Sequence, residues 1–173
     1  MTLDAPFGAG NDPRRNALAT LTLAELEEAA GELQRRIGVA LRRIGERDAD
    51  SYDTAGRSPR RQAARLAVEC EVTALALAAR AAGLPGSPRV PAEHPTFAAA
   101  IAYGAPNLPA LVSRLEQDRR VLASLARQLE SRLDEPLGAS EPETPRELLI
   151  RALIEAPARA ALAFERFLDE RDA

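Results

Sequence analysis

Four stretches of this sequence each begin with a helix-start signal and continue with apolar residues spaced three and four apart. Thr22 and Glu25 have the spacing of a capping box, as do Thr144 and Glu147. The two stretches between them open at Ser58 and at Asn107, each followed closely by a proline that the first helical turn tolerates. No segment has the period-two alternation that a half-buried strand needs. The pattern therefore predicts an all-α fold.

Composition narrows this prediction to an aliphatic core. The chain has 173 residues, among them 36 alanines and 24 leucines, with two tyrosines and no tryptophan. A chain of this length is typical of one domain. We predict a single-domain four-helix bundle over residues 21–173, preceded by a flexible N-terminal arm over residues 1–20.

Two finer features of the bundle are predicted from local signals. A short extra helix from Thr96 to about Tyr103 should lie in the crossover between the second and third long helices, with Gly104 ending it. Pro157 falls inside the last long helix, where its ring crowds the carbonyl of Leu153. A proline at such a position removes one hydrogen bond, so we expect a kink in the last helix.

The cysteine content and the termini indicate a cytoplasmic protein. The single cysteine, Cys70, cannot form an internal disulfide, which fits a reducing compartment. Residues 1–10 lack the basic and apolar regions of a secretion signal. No run of 18 uncharged apolar residues occurs, so we expect no membrane association.

The sequence contains few of the residue types that catalytic and metal sites require. His94 is the only histidine, which excludes sites built from several imidazoles, and zinc sites of the structural kind need four Cys or His ligands. Cys70 lies between Glu69 and Glu71, whose charges would raise the pKa of its thiol and weaken it as a nucleophile. We therefore predict no catalytic residue, no metal ligand and no cofactor, although whether the chain is an enzyme stays open.

One short segment resembles a known enzyme family. Glu25, Glu28 and Glu32 are similar to the first acidic helix of the MazG-type all-α nucleotide pyrophosphohydrolases. The resemblance implies magnesium held between acidic helices. It covers about ten residues, and the sequence Glu71-Val72-Thr73-Ala74 departs from the Glu-x-x-Asp pattern of that family's next helix. A degenerate MazG-like enzyme is therefore kept as a second alternative, and the chain is not assigned to the family.

Positive charge is concentrated where the first long helix ends and the second begins. All 23 basic residues are arginines, although the formal net charge is −3. Because a short loop joins these helices, their arginines should share one end of the bundle. In an up-down topology the acidic linker from Glu135 to Glu143 would reach this end, and whether it neutralises these arginines is left open. The candidate interaction surface consists of Arg35, Arg36, Arg42, Arg43, Arg47, Arg57, Arg60, Arg61 and Arg65.

A second candidate surface is a strip of glycines on the first long helix. Gly31, Gly38 and Gly45 recur every seven residues, although each glycine in a helix interior costs about 1 kcal/mol relative to alanine. A missing Cβ would allow a neighbouring helix to approach closely. The alternatives are a close-packing strip and a chance result of composition.

These features favour a function carried by the surface of the molecule. We predict a non-catalytic helical interaction or assembly subunit that self-associates or binds a protein partner. The alternative is a helical subunit of a larger complex that contacts the backbone of RNA or DNA through its arginine-rich end. A third interpretation of the same arginines is a solvated surface with weak exposed ion pairs.

Overall fold

The computed structural model describes residues 13–84, 95–137 and 143–172. These residues form helices and contain no strand, which confirms the all-α prediction. A 3₁₀ turn, Glu130–Arg132, follows the fifth α-helix, and a π-helical turn, Arg151–Glu155, joins the sixth to the seventh. The α-helices are α1 (Pro13–Ala19), α2 (Leu23–Asp48), α3 (Pro59–Ala81), α4 (Pro95–Gly104), α5 (Leu108–Gln128), α6 (Pro145–Ile150) and α7 (Ala156–Asp172).

The predicted capping residues begin the long helices. The backbone N–H of Thr22 donates to Glu25 Oε2 at 2.8 Å, and the Glu25 N–H donates to Thr22 Oγ1 at 3.3 Å. Thr144 and Glu147 form the same reciprocal pair at the start of α6. Each pair satisfies two backbone donors that have no partner within the helix. The side chains that cap α3 and α5 are Ser58 and Asn107.

The four long helical runs are α2, α3, α5 and the run from α6 through α7. Both α2 and α3 pack against α5 and against the α6–α7 run. Although a short loop joins α2 to α3, these two helices make little contact with each other. Each therefore buries its apolar stripe against helices that come later in the chain.

Ion pairs at the helix ends define the helix directions. Glu46, near the end of α2, contacts Arg60 at the start of α3 and accepts a hydrogen bond from the N–H of Leu108 at the start of α5. Arg171, near the end of α7, pairs with Asp48 at 2.8 Å. The starts of α3 and α5 and the ends of α2 and α7 thus meet at one end of the molecule. We call this the basic end.

The acidic linker lies at the opposite end. Glu135 pairs with Arg80 in the last turn of α3 at 2.7 Å, and Glu143 pairs with Arg151 at 2.6 Å. Because α3 and α5 run parallel, α5 carries the chain away from the basic end before the linker begins. The expectation that this linker reaches the basic end was wrong for Glu135 and Glu143, while Glu141 lies outside the described residues.

Part of the predicted N-terminal arm is folded. Residues 13–19 form α1, and Leu18 is fully buried in the apolar cluster that includes Leu26 and Leu149. Arg15 Nη2 donates to Glu155 Oε2 at 2.9 Å, which joins α1 to the π-helical turn. Residues 1–12 lie outside the described residues.

A π-helical turn precedes Pro157. The N–H of Ala156 donates to the carbonyl of Arg151, five residues earlier. Pro157 has no N–H to donate to the carbonyl of Ala152 in the same pattern. The thiol of buried Cys70 donates to that carbonyl instead, with Sγ 3.8 Å from the oxygen.

Gly45 interrupts the helical conformation of α2. Its φ of 68° and ψ of 174° lie outside the helical region and in a region that is almost restricted to glycine. Gly31, Gly38 and Gly45 therefore do not form one continuous helical strip. The change of direction precedes Glu46, which contacts the starts of α3 and α5.

We expect the substitution Gly45→Ala to lower the free energy of unfolding by about 1–3 kcal/mol, because a Cβ strains this backbone conformation. Chemical denaturation followed by circular dichroism measures the change. Gly104→Ala is the matched control, since Gly104 has no positive φ and no atom within 4 Å of a built Cβ. Equal stability of the two variants would contradict this account of Gly45.

Candidate functional site

The structure separates the nine candidate arginines into paired and unpaired groups. Five of them form ion pairs with carboxylates, and these are Arg35, Arg36, Arg43, Arg57 and Arg60. The other four have no carboxylate partner among the described residues, and these are Arg42, Arg47, Arg61 and Arg65. The nine arginines therefore do not form one uniform basic patch.

Arg60 is a buried structural residue, which corrects its assignment to the interaction surface. Only 8% of the residue is exposed, and Nε lies 3.1 Å from both carboxylate oxygens of Asp50 while Nη2 contacts Glu46. The hydrogen bond from the Leu108 N–H, and then that from Arg60, hold the pKa of Glu46 below its ordinary value. This network joins three helices and presents no guanidinium to a partner.

Acidic residues of α7 pair with the arginines of α2. Glu165 accepts two hydrogen bonds from Arg36, at 3.1 and 3.0 Å, and Asp172 lies 3.4 Å from Arg43. Such bidentate pairing is the geometry in which arginine binds a carboxylate best. The positive charge that sequence proximity assigns to α2 is therefore partly compensated by a helix more than 100 residues away.

The arginines at the start of α3 line a cleft against α4. Its volume is about 350 Å³. Arg61 and Arg65 are four residues apart and so lie along one side of α3, whereas Arg57 lies in the loop just before the N-cap Ser58. We call this site the arginine cleft, and its lining residues are Gly56, Arg57, Ser58, Arg61, Gln62, Arg65, Ala98 and Ala99.

Both tyrosines of the chain contact Arg61. The Arg61 Nη2 donates to Tyr103 Oη at 3.2 Å, and the guanidinium carbon lies 6.0 Å from the centre of the Tyr52 ring. Both rings are exposed, Tyr52 by 60% and Tyr103 by 69%. Tyr52 lies nine residues before Arg61 in the sequence, in the loop that precedes α3. Tyr103 was missed because it lies 42 residues beyond Arg61.

The glycines have different surroundings. A Cβ built on Gly31 or Gly45 would have no atom within 4 Å among the described residues. A Cβ on Gly38 would lie 3.4 Å from Arg42 Nη1 and 3.7 Å from Val112 Cγ1 of α5. Within the chain, Arg42 folds over Gly38, and no helix approaches Gly31 closely. A contact of the strip with another chain stays a prediction.

The carboxylates that suggested a metal enzyme are engaged separately. Glu25 belongs to the capping box, Glu32 pairs with Arg35, and Glu71 pairs with Arg114. Within residues 13–84, 95–137 and 143–172, no three His, Cys, Asp or Glu side chains form a group that could hold a metal ion. His94 lies outside these ranges.

Between α3 and α5, Cys70 is buried and Asp118 is half-buried. Burial raises the pKa of the Cys70 thiol, and the charges of Asp118, Glu69 and Glu71 raise it further. Burial and then the charge of Glu71 raise the pKa of Asp118 to about 6, against the opposing effect of Arg114. Asp118 Oδ2 is buried without a hydrogen-bond partner. We interpret Cys70 and Asp118 as structural residues, because a carboxylate without a hydrogen-bond partner lowers the stability of the fold.

Comparisons with known proteins give no match. No family model, no curated protein and no solved structure is similar to this chain. No helix in the described part of the chain is long and apolar enough to span a membrane.

We expect Arg60→Ala to lower the free energy of unfolding by about 2 kcal/mol, because it removes hydrogen bonds to two carboxylates. Water can solvate the exposed carboxylates of Glu46 and Asp50 in this variant, which limits the loss of stability. Arg35→Ala is the control, since exposed pairs such as Arg35 with Glu32 contribute at most about 0.5 kcal/mol. Urea denaturation compares the two. A loss from Arg60→Ala no larger than that from Arg35→Ala would exclude the structural role.

We expect Asp118→Asn to stabilise the protein at pH 7.5 and to be neutral near pH 3.5. The raised pKa means that the folded state favours the protonated carboxyl of Asp118. The stability that this protonated form provides is complete below the ordinary pKa of 3.8 and is lost as the pH rises through about 6. Because the Asp118 carboxyl is partly exposed, solvent screens its charge, and the gain in the free energy of unfolding at pH 7.5 should be about 1 kcal/mol. Thermal unfolding at both pH values measures it, with Glu116→Gln as the control. An effect independent of pH would contradict the assignment.

Proposed function

We propose that this chain is a non-catalytic helical interaction subunit that self-associates through the outer face of α2. The observation that carries the proposal is the charge distribution on that face. Its first half is acidic and its second half is basic, and Glu28 and Arg42 are exposed without ion-pair partners among the described residues. A helix with such a distribution is complementary to an antiparallel copy of itself.

Helical geometry supports an antiparallel pairing centred on Arg35. Glu28 and Arg42 are 14 residues apart, close to four turns, and therefore lie on one line of the helix. A two-fold axis at Arg35 would place Glu28 of each copy against Arg42 of the other. An isologous interface repeats every contact, so this arrangement forms two ion pairs. Arg35, at the axis, is already paired with Glu32 of its own chain.

Small and apolar residues supply contact area between these charges. Val39 is 51% exposed, and Gly31 has no atom within 4 Å of a built Cβ. The two residues lie four positions on either side of Arg35. In the paired arrangement Val39 of one copy would therefore pack into the gap at Gly31 of the other.

The proposal includes the finer architecture that the sequence predicts. The four long runs would form a four-helix bundle, and Pro157 would kink the last run. A cytoplasmic location and an oligomeric state belong to the same proposal.

We expect charge reversal to break this association and a double reversal to restore it. Glu28→Arg or Arg42→Glu alone should shift the protein towards monomer, because each places like charges together in both copies of the contact. The chain with both changes re-forms both pairs in the swapped sense and should return to the wild-type dissociation constant within about threefold. Sedimentation equilibrium over a range of protein concentrations measures this.

Arg47→Glu provides the matched control for these variants. Arg47 is exposed and unpaired on the same helix but lies on another side, so its reversal should leave the dissociation constant unchanged. A wild-type chain that stays monomeric at tens of micromolar would overturn the proposal. Association that the double reversal does not restore would place the interface elsewhere.

Contact with a nucleic-acid backbone is the second candidate function. Unpaired Arg61 and Arg65, with Tyr52 and Tyr103 beside them, offer the cations and rings that single-stranded nucleic acid needs. A mobility-shift titration of an RNA oligonucleotide at low salt tests this function. Binding weakened by salt and by Arg65→Ala would support it, whereas no shift would remove it.

A further inference from the structure

The arginine cleft has a lining of hydrogen-bond donors and small residues. No carboxylate lines it, although acidic residues outnumber basic ones in the chain as a whole. Gln62 lines the cleft, and its Nε2 is buried without a hydrogen-bond partner. A buried donor without a partner costs about 1–3 kcal/mol, so an acceptor inside the cleft would be stabilising.

We propose that the arginine cleft binds a small phosphate ester, with its phosphate on Arg61 and Arg65. This site is separate from the outer face of α2 and does not depend on self-association. The cleft lies between the first two turns of α3 and the start of α4, and no residue of α2 lines it.

Charge balance favours a phosphomonoester over a singly charged ligand. Arg57 is held through Nε by Asp53 at 3.0 Å, whereas Arg61 and Arg65 face no carboxylate within hydrogen-bond distance. The cleft therefore carries two positive charges that no carboxylate contacts, although the charge of Asp50 acts on Arg61 from farther away. A phosphomonoester carries about −1.5 to −2 at neutral pH and has three acceptor oxygens. The planar guanidinium groups match those oxygens bidentately.

Size favours an ester over inorganic phosphate alone. A volume of about 350 Å³ falls at the lower end of the range for small-molecule sites, which is about 300–1,000 Å³. Ala98 and Ala99 leave space opposite the arginines, since neither extends beyond a methyl group. The cleft thus has room for a phosphate and for the group that it esterifies.

The two tyrosines make the site directly observable. The chain has no tryptophan, so its intrinsic fluorescence comes from Tyr52 and Tyr103, which both contact Arg61. A phosphate that draws the Arg61 guanidinium into the cleft would break its hydrogen bond to Tyr103 and move it from the Tyr52 ring. Ligand binding should therefore change tyrosine emission in a saturable way.

The experiment titrates the full chain with inorganic phosphate and ribose 5-phosphate by tyrosine fluorescence. Adenosine monophosphate is measured by calorimetry, because adenine absorbs the exciting light. We expect ribose 5-phosphate to bind more tightly than inorganic phosphate, and Arg65→Gln to weaken its binding at least tenfold. Arg47→Gln is the matched control and should bind as the wild type does. Tighter binding of the adenosine ester than of the ribose ester would show that the ligand stacks on the tyrosine rings.

Three outcomes would overturn the proposal. The first is the absence of saturable binding by either ester at millimolar concentration. The second is equal binding by the wild type and Arg65→Gln, which would place the phosphate elsewhere. The third is binding of an RNA oligonucleotide far tighter than of either ester, which would assign the cleft to a polymer backbone. None of these outcomes bears on the sedimentation test of self-association.

Discussion

The buried guanidinium of Arg60 is the interaction on which the helix arrangement depends. Its Nε contacts Asp50, its Nη2 contacts Glu46, and its backbone N–H donates to the carbonyl of Ala49 at 2.9 Å. Glu46 in turn accepts the N–H of Leu108 at 2.7 Å. The end of α2 and the starts of α3 and α5 are thereby joined in one network. Because this network places α3 and α5 side by side at their starts, it also determines where the arginine cleft and the acidic linker lie.

Local signals in the sequence predicted the starts of the long helices, whereas the directions of the helices required the structure. Capping by Thr22 or Thr144 involves residues within one turn, so the sequence contains all of the information. The direction of α5 depends on where the crossover after α3 returns the chain, which no local pattern specifies. The wrong placement of the acidic linker follows from this limit.

The sequence predicted only part of the candidate site, because local patterns do not specify contacts between distant segments. Clustering of arginines along the chain predicted a basic end. Consecutive helical residues point about 100° apart, however, and spacing alone did not separate buried Arg60 from exposed Arg61. Tyr103 and the pairing of Arg36 with Glu165 depend on contacts between distant segments. Gly45 also shares the seven-residue spacing of Gly31 and Gly38, although only Gly45 adopts a positive φ. Its role is visible only in the backbone angles.

The parallel pairing of α3 and α5 has an electrostatic consequence at the basic end. Aligned peptide dipoles give each helix start about half a positive charge, so two such starts side by side repel each other. Glu46 lies between them and contacts both the first turn of α3 and the first N–H of α5. Its carboxylate therefore acts as the counter-ion of the α5 macrodipole and of the Arg60 guanidinium at the start of α3. A chain with this helix order needs an acid at that position even though the surrounding segment is rich in arginine.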